Sequence, residues 1–270
     1  MTMASGGSAL GVDCSSFRPC VVIPTYDNPA TITAVVESVV PYLRDVIVVD
    51  DGSGPAARAL IDALRERGLA HVVRRERNGG KGAAVKAGLR AAHELGYSHA
   101  LQLDADGQHA VSDIPRFLAE AGRAPAALVL GTPRFATDAP KARLYGRKIS
   151  VGFVQLETMS MGERSRIADP LCGYRVYPVE AALRCAPRAD RMDFDPEIAV
   201  RMVWSGVAVH NLPTLVRYIP RAQGGVSHFQ LVRDNLRISL MHSRLMCTLI
   251  FRLLFGWLRS GKRASPRSAA

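Results

Sequence analysis

Three short apolar runs, each ending in acidic or polar residues, constrain the fold of this chain more than any other feature. They are residues 20–23 (CVVI) running into Pro24-Thr25-Tyr26-Asp27, residues 46–49 (VIVV) running into Asp50-Asp51-Gly52-Ser53, and residues 100–103 (ALQL) running into Asp104-Ala105-Asp106-Gly107. Runs of this length, bounded by such turns, read as buried strands. Between them lie stretches of helical period. Ile32, Val35, Val36, Val39, Val40 and Leu43 follow an Asn28 cap and Pro29. Pro55 opens a second helix through Leu64, which Gly68 closes, and a third runs over 82–95. A further strand is expected at 70–73, a helix capped by Ser112, and a strand at 127–130. Alternation with short connections predicts an α/β fold with a mainly parallel, doubly wound sheet. Ligands of such sheets bind beyond the carboxyl ends of the strands, and all three polar clusters fall on that edge.

After Gly131 the pattern changes. Residues 141–161 read as a helix, 168–178 as a tight turn into a strand, and 195–204 as a helix entered through FDPE. Residues 207–218 read as two short strands split by Pro213. There is no repeat and no low-complexity linker. The expected organisation is a loose tail at 1–18, one catalytic domain over 19–226, and a C-terminal basic, amphipathic segment over 227–270.

With 270 residues, 48% of them hydrophobic, the chain can bury a substantial core. Its formal net charge of +11 favours anionic partners: nucleotide phosphates, nucleic acid or an acidic membrane surface. The interleaved basic and aromatic pattern of a nucleic-acid stacking platform is missing, so no nucleic-acid partner is expected. Five cysteines without a C-x-x-C argue against a disulfide framework or a structural zinc site, and a reducing cytoplasm fits. The first 16 residues carry no apolar leader, and no apolar run is long enough to span a membrane.

The turn LQLDADGQH carries the most chemistry. Asp104 and Asp106, one residue apart at a strand exit, repel one another unless a cation lies between them. Mg²⁺ suits that position because it takes one or two carboxylates and completes its shell with phosphate and water. On VIVVDDGS, one of Asp50 and Asp51 can accept from a base or a ribose hydroxyl. The glycine-rich stretch 77–83 opens a helix where an anion can sit, although its spacing is neither a P-loop nor a dinucleotide fingerprint.

Taken together, PTYDNPATI, VVDDGS, RNGGKGAAVKAG, LDADGQH, DPLCGYRVY, FDPEI and RAQGGVSHF resemble the family 2 glycosyltransferases in order and spacing. The likeness is to the dolichyl-phosphate mannosyltransferase-like branch. It implies a GT-A fold, a Rossmann-like sheet binding a UDP- or GDP-linked sugar, with Mg²⁺ or Mn²⁺ as cofactor and inverting transfer by direct displacement. Pro24, Tyr26 and one of Asp50 or Asp51 would line the nucleoside, and Asn78 and Lys81 the nucleotide or its sugar. Asp104 and Asp106 would hold the metal against the diphosphate, with Gln108 as a third contact. Asp169, Gly173, Tyr174 and Arg175 would shape the donor and acceptor side, and Arg221 and Ser227 a loop that meets a phosphate. Asp195 and Glu197 would stand at the reacting centre. Either could act as base toward a hydroxyl acceptor, whereas a lipid phosphate needs none. The family's Asn-Glu after P-T-Y is replaced here by Asp27-Asn28, and the loop lysine of polyprenyl-phosphate users by His228. The resemblance therefore predicts an enzyme acting on a lipid-linked acceptor. The rival is a non-catalytic sugar-nucleotide-binding scaffold subunit, against which the intact DADG and FDPE stand.

No acidic residue follows Asp234. Arg237, Arg244, Arg252 and Arg259 recur at steps that keep them within a sector of roughly 80° on an otherwise apolar helix. This pattern predicts an in-plane helix on an anionic membrane surface, and hence a peripheral protein on the cytoplasmic face of the inner membrane.

Overall fold

The computed structural model describes residues 17–135, 141–217 and 230–260. Its centre is a seven-stranded sheet in the order β3-β2-β1-β4-β6-β5-β7. The strands are β1 (Pro19–Thr25), β2 (Val46–Asp50), β3 (His71–Arg74), β4 (His99–Gln102), β5 (Leu128–Phe135), β6 (Arg175–Pro178) and β7 (Val209–Val216). All neighbours pair in parallel except β6, which runs antiparallel to both β4 and β5. The expected mainly parallel α/β sheet is present.

Helices cover both faces. On one side pack α1 (Ile32–Val39), α2 (Pro55–Glu66) and α4 (Ile114–Arg123), through residues such as Val36, Ile61 and Phe117. On the other lie α3 (Lys81–Glu94), α5 (Lys141–Thr158), α6 (Val179–Arg184), α7 (Phe194–Trp204) and α8 (Leu231–Ser260). The central strands are buried throughout, and each Val or Ile so buried contributes about 1.5–3 kcal/mol. Helix α3 sits unusually close to the sheet because of Gly88. A Cβ there would lie 2.4 Å from a Val22 methyl and 3.0 Å from a Val49 methyl.

Two local expectations are corrected. Helix α1 begins at Ile32 rather than after Asn28. The Asn28 amide donates to the Thr25 hydroxyl at 3.4 Å, and the Thr31 hydroxyl donates to the Ala105 carbonyl at 2.6 Å. These bonds tie the 28–31 turn to the sheet edge instead of capping a helix. The second correction is β7, a single strand that runs through Pro213, which pairs with Thr132. It lies at the end of the sheet, where a missing N–H costs no ladder bond.

Helix α8 packs Met241, Leu245 and Leu249 into the core. His242 lies 2.8 Å from Glu157 and 3.0 Å from Ser150 of α5, with the Phe153 ring stacked on it. The arginine stripe flanks this buried face rather than facing only outward. Arg244 reaches to 3.9 Å from Glu197, and Arg252 donates to the Trp204 carbonyl at 3.0 Å while covering its ring. The exposed side of α8 carries Leu236, Leu240, Ile250 and Leu254 among polar and basic residues such as Arg233, Ser243 and Arg244, beside Ile149, Phe153 and Leu156 of α5. No helix among the described residues is long and apolar enough to cross a membrane.

Candidate active site

The carboxyl ends of β1, β2 and β4 converge, as expected, on one polar edge. Asp104 follows β4 after the buried Leu103. Its carboxylate lies against Gly173, where a Cβ would sit 2.4 Å from Asp104 Oδ2, so only glycine leaves the carboxylate its place. Lys81, the first residue of α3, reaches across the edge. Its Nζ stands 2.8 Å from Asp104 Oδ1, 3.0 Å from Oδ2 and 2.9 Å from Asp195 Oδ2. His109 Nε2 approaches Asp104 Oδ2 at 3.5 Å.

Asp195 opens α7 and is 4% exposed. The Gln102 amide donates to its Oδ1 at 3.3 Å, and the Tyr177 hydroxyl donates to Gln102 Oε1 at 2.9 Å. Arg175 lies 3.8 Å away from the same carboxylate. Fully buried, it donates to the carbonyls of Pro170 (3.1 Å), Cys172 (2.6 Å) and Asp195 (2.9 Å). It thus braces the DPLCGYR turn against the start of α7.

The charges of this cluster hold one another. Burial opposes an ammonium at Lys81, but the Asp104 and Asp195 carboxylates overcome it and hold Lys81 charged well above the usual lysine range. Burial likewise opposes ionisation of Asp104, yet Lys81 and the bond from His109 keep its carboxyl well below the usual range. Asp106 shifts the other way, raised by burial first and the Asp104 charge second. Two crowded carboxylates of this kind fit one side of a hard divalent cation. Among the described residues no group of three or more acid, His or Cys side chains forms a metal cage. The remaining ligands of such a cation therefore have to be phosphate oxygens and water.

On the nucleoside side Pro24 is buried and Tyr26 half-buried at the end of β1. Asp50 and Asp51 act as struts. Asp50 accepts from the Ser53 amide at 2.9 Å and from Arg74 at 3.0 Å. Asp51 accepts from the amides of Gly79 at 3.1 Å and Gly80 at 2.7 Å, and pairs with Arg75. It thereby shapes the glycine-rich turn that presents Lys81. The Asn78 side-chain carbonyl accepts from Arg191 at 3.4 Å.

Other expected site residues do not line this cluster as open surface. Glu197, two residues after Asp195, accepts from the Ala189 amide at 2.6 Å and from Arg201 at 2.8 Å, and lies near Arg244. Residues two apart on a helix point about 200° from each other, so Glu197 faces α8 while Asp195 faces Lys81. Tyr174 is a core ring, edge-on to Phe117, rather than a lining residue. Arg175 is a buried brace and not a surface for substrate. Asp169 is tied to Arg147 of α5 and to the Leu171 amide at 2.9 Å. Gln108 enters through its backbone, donating to Asp106 at 3.0 Å and accepting from the Arg217 amide at 2.9 Å. Arg221 and Ser227 lie outside the described residues. Burial pushes the Cys172 thiol up to about 11, which removes it as a nucleophile. Two residues were missed from sequence, Gln102 and His109. Gln102 signalled itself as the polar side chain inside the apolar run 100–103. His109 lay in the DADGQH turn itself, and its Nδ1 is buried without a partner.

Residues 20–182 match the family model described as Glycosyl transferase family 2. The chain belongs to that family. It is a glycosyltransferase, and the doubly wound sheet with its Asp104 edge is the GT-A arrangement. No curated protein matches the chain. Among solved structures it is similar to glucosyl-3-phosphoglycerate synthase from Mycobacterium tuberculosis in complex with Mn²⁺, uridine diphosphate and phosphoglyceric acid. That likeness has a TM-score of 0.62 at 19% identity, covering 87% of this chain and 78% of the other. The same synthase with Mn²⁺, UDP-glucose and phosphoglyceric acid gives 0.61 at 19%, covering 93% and 86%. A structure described only as a mycobacterial protein gives 0.56 at 22%, covering 76% and 69%.

Proposed function

We propose that this glycosyltransferase moves one sugar, with inversion, from a UDP- or GDP-sugar to an acceptor that carries its own phosphate. The observation that carries this reading is the Asp104–Lys81–Asp195 cluster at the strand edge, beside the glycine-rich turn fixed by Asp51. Asp104 and Asp106 would hold Mg²⁺ or Mn²⁺, which supplies positive charge to the departing diphosphate. Lys81 adds a second positive charge on the same side. Asp195, fixed by Gln102 and Arg175, is the carboxylate at the reacting centre. Both of its oxygens already have donors or cations beside them, which suits orienting a substrate better than taking a proton. No base is needed where the attacking oxygen is that of the ionised phosphate itself, whereas a hydroxyl of the same acceptor still has to lose a proton. The complexes of the similar synthase with Mn²⁺, uridine diphosphate and phosphoglyceric acid support both donor and acceptor class. Purified protein incubated with UDP-glucose, GDP-mannose or related donors, Mn²⁺ and phosphoglycerate should release nucleoside diphosphate and form a glycosylated product. Absence of turnover with every donor, and turnover unaffected by EDTA, are the results that defeat the reading.

A second reading keeps the lipid-linked acceptor and the place beside the dolichyl-phosphate mannosyltransferase-like branch. The exposed apolar side chains of α5 and α8, with arginines among them, favour it. Such a surface suits peripheral binding to an anionic membrane, at the cytoplasmic face of the inner membrane. It predicts flotation with anionic vesicles at low salt and transfer to a polyprenyl phosphate. A chain that stays with the soluble fraction and glycosylates only phosphoglycerate excludes it.

A further inference from the structure

We propose that Lys81 holds the cation's place: its ammonium occupies Asp104 until a nucleoside diphosphate arrives, so the divalent ion enters only together with the diphosphate. Lys81 Nζ lies within 3.0 Å of both Asp104 oxygens and 2.9 Å from Asp195, so it stands on the face of Asp104 that a metal would use. Gly173 packs against the same carboxylate and limits its freedom to swing away. A divalent ion arriving alone would meet a like charge on its main ligand. It would find Asp106 as a further carboxylate, with Asp195 held by the same Lys81 and His109 beside Asp104, but no three acid, His or Cys side chains arranged as a cage among the described residues. A diphosphate changes both conditions. Its oxygens fill the cation's shell and give the Lys81 ammonium a new counter-charge within reach of its flexible stem. The cation and the nucleotide should therefore bind cooperatively, each raising the affinity for the other by the same factor.

This inference rests on the metal–nucleotide reading above, and the test separates the two. Mn²⁺ binding to the full chain is titrated by the loss of the free-ion electron paramagnetic resonance signal, with and without UDP. The wild-type chain should bind Mn²⁺ at least tenfold more tightly when UDP is present. Lys81→Met should bind Mn²⁺ without UDP at least tenfold more tightly than wild type, and the gain from UDP should shrink. The Lys81→Met/Asp195→Asn double variant should behave the same way. It removes the cation together with one of its two partners, leaves the net charge of the site unchanged, and carries the test if the single variant fails to fold. Unchanged UDP-free affinity in the folded variants overturns the place-holding role alone. Failure of the wild-type chain to bind Mn²⁺ even with UDP overturns the metal–nucleotide reading, and this inference with it.

Discussion

Two buried polar clusters lie on either side of α7, and they are built to opposite ends. At the sheet edge, Lys81, Asp104 and Asp195 crowd full charges beside glycines, with Asp106 raised by burial and by its neighbour's charge. Under α8, Ser150, His242 and Glu157 form a hydrogen-bonded row with almost no exposure. The second row has the residue types of a Ser-His-acid triad, yet α5 and α8 seal it from any substrate. Residue type alone therefore does not make a site. The difference lies in access, which the first cluster has and the second lacks. Helix α7 serves both regions: Asp195 faces the first, while Glu197 faces α8 and its Arg244.

The largest expected effect is at Asp104. Asp104→Asn removes the charge that would bind the cation, and several kcal/mol of transition-state stabilisation with it. Nucleoside diphosphate release should fall about a thousandfold or more, with an unchanged circular dichroism spectrum. Near-normal turnover would remove the metal from the mechanism.

The pair on α7 separates the two regions most directly. Asp195→Asn should lower kcat about a hundredfold by loosening the Lys81 and Gln102 contacts at the reacting centre. Its melting temperature should change far less than its rate. Glu197→Gln should do the reverse. Glu197 is 1% exposed and accepts from Ala189 and Arg201, so losing its charge should cost about 1–3 kcal/mol of stability. Turnover of the folded fraction should stay near wild type. If Glu197→Gln instead loses rate without losing stability, the assignment of the two carboxylates has to be exchanged.

Much of the first region is legible in the sequence, because local features build it. The apolar runs mark strands, their acidic ends mark the edge, and Asp104 and Asp195 follow from the motifs they stand in. Even the divergence of Asp195 and Glu197 is readable from helical spacing. What is not local is harder to see. Lys81 bridges Asp104 and Asp195 only because β4, α3 and α7 meet. Pro213 splits a strand in the sequence but not in the fold, since edge position is a tertiary property. Likewise Tyr174 and Arg175 belong to a recognisable motif, yet both are buried, one in the core and one as a brace. The arginines of α8 show a clean stripe, but which neighbours that stripe meets depends on how the helix docks.

The smallest expected effect probes the sealed cluster by pH. Burial raises the Glu157 carboxyl above its ordinary value, and the hydrogen bond and charge of His242 offset this only in part. Its Oε2 is buried without a partner, which disfavours the ionised form further. Folded protein thus binds this proton more tightly than the unfolded chain does. The stability linked to it is fully present below the ordinary glutamate pKa and is lost as pH rises through the raised value. A tenfold difference in proton affinity between the folded and unfolded chain is worth about 1.4 kcal/mol, so the effect is modest. Glu157→Gln keeps the shape and an acceptor for His242 but cannot ionise. Its melting temperature should fall less than that of wild type as pH rises from the acid range toward neutrality. At the sheet edge the same change of pH should leave the Asp104–Lys81 pair intact, because both groups are held in their charged forms. Parallel melting curves for Glu157→Gln and wild type would show that the row under α8 does not titrate, and that the two clusters differ in access alone.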